Sequence, residues 1–120
     1  MSVYTDLTQV TKASIKATTG RVISALITNA SASARFFQLF NQATVPAGGD
    51  VPLYSFPIPA GAASSPGTII LDHVFFANEL NPALKGSPFV NGIGWAVSTT
   101  YGTFTDSATA TDHTVTIHYE

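Results

Sequence analysis

The sequence lacks cysteine altogether and contains few charged residues. Without a thiol, this chain of 120 residues has no disulfide framework, no thiolate metal ligand and no cysteine nucleophile. Charged residues make up 10% of the sequence, well below the roughly 25% of ordinary globular domains. Serine, threonine and alanine take their place, so hydroxyl groups rather than charges keep the surface in solution. This composition is typical of a protein that packs into an assembly.

Basic side chains are equally scarce, with five lysines and arginines and a net charge of −2. Lys12, Lys16 and Arg21 form the only basic cluster. Because binding to a phosphate backbone needs several clustered cations, we expect no nucleic-acid partner. No apolar run approaches the roughly 18–20 residues that span a bilayer. The first ten residues lack the basic and apolar regions of a signal peptide, so we expect no membrane partner and no secretion by that route.

Extended helical periodicity is also missing, and short β-branched or aromatic runs separated by glycine and proline take its place. Residues 93–98 and 115–119 alternate strictly between large apolar and small or polar side chains, which is the period of a strand. The pattern predicts an all-β chain with seven or eight strands. The architecture expected from it is a single β-sandwich, jelly-roll or immunoglobulin-like in topology. The expected core side chains are Ile23, Phe37, Leu39, Trp95, Val97, Val115 and Ile117.

Prolines crowd one of the predicted strands. The apolar run from Leu53 to Ile58 contains Pro57 and is flanked by Pro52 and Pro59. Proline cannot donate a hydrogen bond to a neighbouring strand, so this strand should be short and bulged or lie at a sheet edge.

Two segments are candidates for contacts with other molecules. We expect residues 1–11 to form an N-terminal arm and residues 12–120 to form the sandwich domain; a frayed terminus is the alternative for the arm. The segment from Phe75 to Phe89 has more apolar bulk than a simple loop needs, with a short helix possible over Phe75–Leu80. The candidate assembly contacts in these two segments are Tyr4, Leu7, Val10, Phe75, Phe76, Leu80 and Phe89.

Catalytic and metal-binding patterns are not found. His113 and His118 are five residues apart, so on one strand they point to opposite faces. With His73 they are interpreted as surface or turn residues and not as metal ligands. The hydrolase motif G-x-S-x-G is absent, and the scattered carboxylates show no paired spacing. We therefore expect no enzymatic activity, no metal and no cofactor.

Five short pieces of the chain, in order, resemble small virion proteins of tailed bacteriophages. They are the QLFN strand, the Pro/Gly loop after it, the PIPAG turn, the WAVSTT strand and the final TDHTV strand, and together they span Ala34 to Glu120. The resemblance implies a non-enzymatic structural protein of the virion, made in the host cytoplasm, that decorates and cements the capsid. The partners it implies are the major capsid protein or neighbouring virion proteins. It also implies a homo-oligomer, with a trimer as the expected form.

The alternative is a component of the phage tail or fibre that binds host carbohydrate. Tyr54, Tyr101 and Phe104 lie near predicted loops and could together form a platform on which a sugar ring stacks. Trp95 is expected in the core because it lies in an alternating apolar strand.

Overall fold

The computed structural model describes residues 2–72 and 86–120, which form nine strands and one short 3₁₀ helix at Ala110–Asp112. The strands are β1 (Ser2–Leu7), β2 (Lys12–Lys16), β3 (Gly20–Asn29), β4 (Arg35–Phe40), β5 (Tyr54–Ile58), β6 (Gly67–Leu71), β7 (Ser87–Phe89), β8 (Ile93–Ser98) and β9 (His113–Tyr119).

The strands form two antiparallel sheets packed face to face. Sheet A has the order β1-β9-β3-β6, with the short β7 also paired to β3, and sheet B has the order β2-β8-β4-β5. The all-β sandwich expected from the sequence is confirmed, although the nine strands within the described residues exceed the seven or eight predicted.

The order of the strands distinguishes between the two predicted topologies. β1 pairs with β9, β2 with β8, β3 with β6 and β4 with β5, as in one long hairpin whose successive strand pairs alternate between two sheets. Pairing of β9 with β3 and of β8 with β4 then closes each sheet. An immunoglobulin-like sandwich keeps its first two strands side by side in one sheet, whereas β1 and β2 lie in different sheets here. The topology is a jelly roll with β7 added.

The hydrophobic core lies between the two sheets. All seven side chains expected in it are buried, and six of them belong to the cluster between the sheets. Ile23 is the exception, because the pairing of β3 with β9 shifts register between Val22 and Ser24. This bulge leaves Val22 facing the core and takes Ile23 out of the inward alternation.

Residues at the N-terminus, expected to form a separate arm, instead form a paired strand. β1 runs alongside β9 from Ser2, opposite Tyr119, to Leu7, opposite Thr114. Tyr4 points inward and its ring lies 5.9 Å from that of Trp95. The alternation of side chains along β1 makes this possible, since Tyr4 and Asp6 face the core while their neighbours face solvent.

The proline-rich strand is confirmed as an edge strand. β5 is the last strand of sheet B, and Pro57 lies opposite Phe36 of β4. The possible helix over Phe75–Leu80 lies outside the described residues.

Candidate assembly surface

The outer face of sheet B is covered by loops of the same chain. Phe104 is buried against Phe40, with ring centroids 6.1 Å apart, and forms a second small core with Ala96. The Phe104 amide donates a 2.8 Å hydrogen bond to the Asp50 carbonyl, and the Gly49 amide donates one of 2.9 Å to the Phe104 carbonyl. The loops 41–53 and 99–107 are thus joined over the sheet.

Hydrogen bonds of two polar side chains hold these loops in place. The fully buried Gln38 side-chain amide donates to the carbonyls of Thr100 and Tyr101 at 2.9 and 3.0 Å. The Asp50 carboxylate accepts hydrogen bonds from the Ala47 amide at 2.9 Å and from Gln42 Nε2 at 3.0 Å. These two donors, the backbone amide above all, hold the pKa of Asp50 below its usual range.

The outer face of sheet A differs from that of sheet B, because its described strand residues are at least partly exposed and its three central rows contain no lysine, arginine, aspartate or glutamate; Arg21 and the exposed Asp72 lie at its margin. The register aligns its residues in three rows across the strands. The rows are Val3–His118–Ser24, then Thr5–Thr116–Leu26–Ile70, then Leu7–Thr114–Thr28–Thr68. Beyond the first row, Arg21 and Glu120 form an ion pair of 2.7 Å.

This face has the chemistry of a docking surface. Val3, Leu7 and Ile70 are among the most exposed large hydrophobic side chains of the described residues, with Ile70 74% exposed. The hydroxyl groups of Thr28 and Thr114 are hydrogen-bonded to each other at 2.6 Å, so part of the polar content is already satisfied within the face. Covering such a surface removes apolar area from water without desolvating a charge.

The edges of the two sheets show the same contrast. In sheet B, β2 carries Lys12, Lys16 and a register shift between Ser14 and Lys16, while β5 carries Pro57. Lysine, bulges and proline are the usual devices that prevent pairing at an edge. In sheet A, neither β1 nor β6 contains a lysine or a proline.

The predicted contact residues fall in three different environments. Leu7 is 62% exposed on the outer face of sheet A, and Val10 is partly exposed in the connection between β1 and β2. Tyr4 packs on the core, and burial raises its pKa above the usual value. Phe89 is fully buried, so its side chain belongs to the interior of the domain. The other three predicted contacts, Phe75, Phe76 and Leu80, lie outside the described residues.

The aromatic residues suggested as a sugar platform are not brought together. Phe104 is buried beneath the loops over sheet B, and Tyr54 stacks on Phe56 and hydrogen-bonds Ser87 through its hydroxyl at 2.7 Å. Tyr101 alone of the three is exposed, where it packs edge-on against Phe36 at 5.7 Å.

One of the three histidines, His113, is placed differently from what the sequence suggested. His113 and His118 do face opposite sides of β9, as expected, but His113 is buried and not a surface residue. Its Nε2 lies 2.9 Å from the Val10 carbonyl, and its Nδ1 lies 3.2 Å from Asp112 Oδ1. It therefore ties β9 to the connection between β1 and β2. His73 lies outside the described residues.

Over residues 2–72 and 86–120, no three histidine, aspartate or glutamate side chains are grouped so that they could hold a metal ion. Within the same residues no helix is long and apolar enough to cross a membrane.

Comparison with known proteins gives no match to a family model, to a curated protein or to a solved structure.

Proposed function

We propose that this chain is a non-enzymatic structural protein of a phage particle, and that it decorates the capsid by docking the outer face of sheet A on the head lattice. The observation that carries the proposal is that the three described rows across this face are exposed and contain no lysine, arginine, aspartate or glutamate, whereas the outer face of sheet B is covered by the chain's own loops. The resemblance of residues 34–120 to small phage virion proteins supports the same role.

The physical argument concerns the cost of docking. A decoration protein has to stay soluble before assembly and then bury one surface permanently. Hydroxyl groups spaced between aliphatic side chains serve the first need, since they are hydrated in the free protein. The lack of acidic and basic side chains in the three described rows serves the second, because burying these rows desolvates no ion that is left without a partner. Jelly rolls are common in viral capsid proteins and also in lectins, and this part of the support is an analogy at the level of fold.

The test is binding to purified heads that lack the protein, measured by co-sedimentation. Ile70→Lys places a charge on the outer face of sheet A, where the wild-type side chain is 74% exposed. Val51→Lys is the matched control, since Val51 is 73% exposed but lies in the loop 41–53, away from that face. We expect Ile70→Lys to weaken binding strongly and Val51→Lys to leave it unchanged. Equal binding by both variants, with both folded by circular dichroism, would contradict the proposal.

A role in the tail or fibre is the second candidate. The exposed Tyr101, packed against Phe36, offers one aromatic surface on which a sugar could stack. A glycan array with wild type and Tyr101→Ala tests this binding. Location of the protein on the head or on the tail in an electron-microscopy map of the particle separates the two roles.

A further inference from the structure

We propose that two copies of this chain pair through the free edge of β1, which joins their A sheets into one continuous antiparallel sheet. β1 has a hydrogen-bonded neighbour on the β9 side alone within the described residues, and it is the outermost strand of sheet A. No other strand of the described residues pairs with its other side, which leaves the outward-facing backbone donors and acceptors of these six residues available to a further strand. The groups that satisfy such an edge best are those of another strand.

The residues of β1 show why the edge is open to pairing. The strand SVYTDL has no proline, no lysine and no bulge, and its pairing with β9 runs without a register shift. β2, on the other sheet, has both a bulge and lysines. The contrast limits pairing on this side of the molecule to sheet A.

A second copy is the partner that fits, because the edge is complementary to itself. In an antiparallel pair with Thr5 on the twofold axis, Thr5 lies opposite Thr5 of the second copy and Val3 lies opposite Leu7. No charged residue then faces a like charge on the outer face, and the single acidic residue of β1, Asp6, is 5% exposed and bonded to the amides of Gln9 and Val10. A strand pair of this length is a small interface, so the dimer should form reversibly and depend on concentration.

The lack of cysteine makes the register directly testable. Residues directly opposite each other in an antiparallel pair have Cα atoms about 4.5–5.5 Å apart, which lies within the range that a disulfide spans. Thr5→Cys should therefore give a disulfide-linked dimer on mild oxidation of the isolated chain. Thr28→Cys, on the same face but two strands away from the edge, is the matched control and should give no disulfide-linked dimer under the same conditions. Equal cross-linking of the two variants would overturn the proposal.

Charge pairs give a second test that does not need oxidation. In the double variant Val3→Lys/Leu7→Lys, each introduced lysine faces an introduced lysine of the second copy, so the dimer should be lost. In Val3→Lys/Leu7→Glu, each lysine faces a glutamate of the second copy, and dimerisation should be retained. Both wild-type side chains are exposed, so both variants should fold. Sedimentation velocity over a range of concentrations is the measurement. The same behaviour of the two variants would overturn the register, and a wild-type trimer without Thr5→Cys cross-links would overturn the β1 pairing.

Discussion

Trp95 belongs to one sheet and packs against residues of the other. It lies on β8 of sheet B, is fully buried, and its ring is close to Tyr4 of β1 and to His113 of β9, at 5.9 and 6.2 Å. The sequence placed it in the core from the alternation around it. It did not reveal that Tyr4 and His113 are its neighbours, because both contacts cross from one sheet to the other.

Replacing Trp95 by alanine should destabilise the fold by about 3–5 kcal/mol, as expected for a buried aromatic side chain that leaves a cavity. The midpoint of urea unfolding is the measurement. Tyr101→Ala is the control, since Tyr101 is exposed and should shift the midpoint little. An unchanged midpoint for Trp95→Ala would show that the side chain is not packed as described.

Acid should destabilise the protein through carboxylates whose pKa is lowered in the fold. The amide of Ala47 lowers the pKa of Asp50, and Arg21 lowers that of Glu120. A lowered pKa stabilises the fold above the unfolded-state value, near 4, and this contribution is lost as the pH falls through the folded-state value. We expect the melting temperature to fall below about pH 4 for this reason.

Asp50→Asn tests this pH dependence, because it removes the charge while keeping the shape of the side chain. The melting temperature of the variant should lie below that of wild type at pH 7, and the difference should become smaller in acid. Parallel curves for the two proteins would show that the hydrogen bonds to Asp50 do not stabilise the loop 41–53.

At the scale of elements, the sequence predicted the strands that carry a clear local pattern. β8 and β9 alternate strictly, and the prolines of β5 indicated an edge. The sequence did not predict β1, because Tyr4, Leu7 and Val10 lie three residues apart and do not follow the period of a strand, whereas Val3, Thr5 and Leu7 do. The exposure of Leu26 and Ile70 could not be predicted, because both residues lie in runs that are apolar on both faces of the strand. Which of the two faces is covered depends on loops that are distant in sequence.

Deleting residues 1–7 should therefore lower the stability of the domain and not leave it unchanged. The deletion removes all the pairing of β1 with β9 and takes Tyr4 away from Trp95. Thermal unfolding should show a clear drop, larger than that of Leu7→Ser, which changes one exposed side chain. If the shortened chain has the same melting temperature as wild type, β1 does not stabilise sheet A.

The whole molecule is organised by pairing between distant parts of the chain. Ser2 lies opposite Tyr119, so the two ends of the described chain are neighbours in sheet A. Gly48 and Gly49, in contrast, lie in the exposed loop 41–53, with open space around the positions where a side chain would begin. The two ends can thus be linked, and the chain can be opened in the loop 41–53, without interrupting a strand.

A circular permutant that links residue 120 to residue 1 and begins at Gly49 should fold to the same structure. We expect the far-ultraviolet circular dichroism spectrum of wild type and a cooperative melt. A permutant opened between Ala96 and Val97, inside the buried strand β8, is the control and should not fold. If the permutant that begins at Gly49 also fails to fold, the two ends are not adjacent as described.

The position of β9 between β1 and β3 has a consequence for the making of the protein. On the ribosome β1 and β3 emerge well before β9, the strand that joins them, so sheet A cannot close until β9 has been made. A chain that terminates early lacks the strand carrying Thr114, Thr116 and His118, and therefore never displays the complete outer face. A chain that stops before β9 therefore cannot assemble sheet A as one sheet, however much of sheet B it has formed.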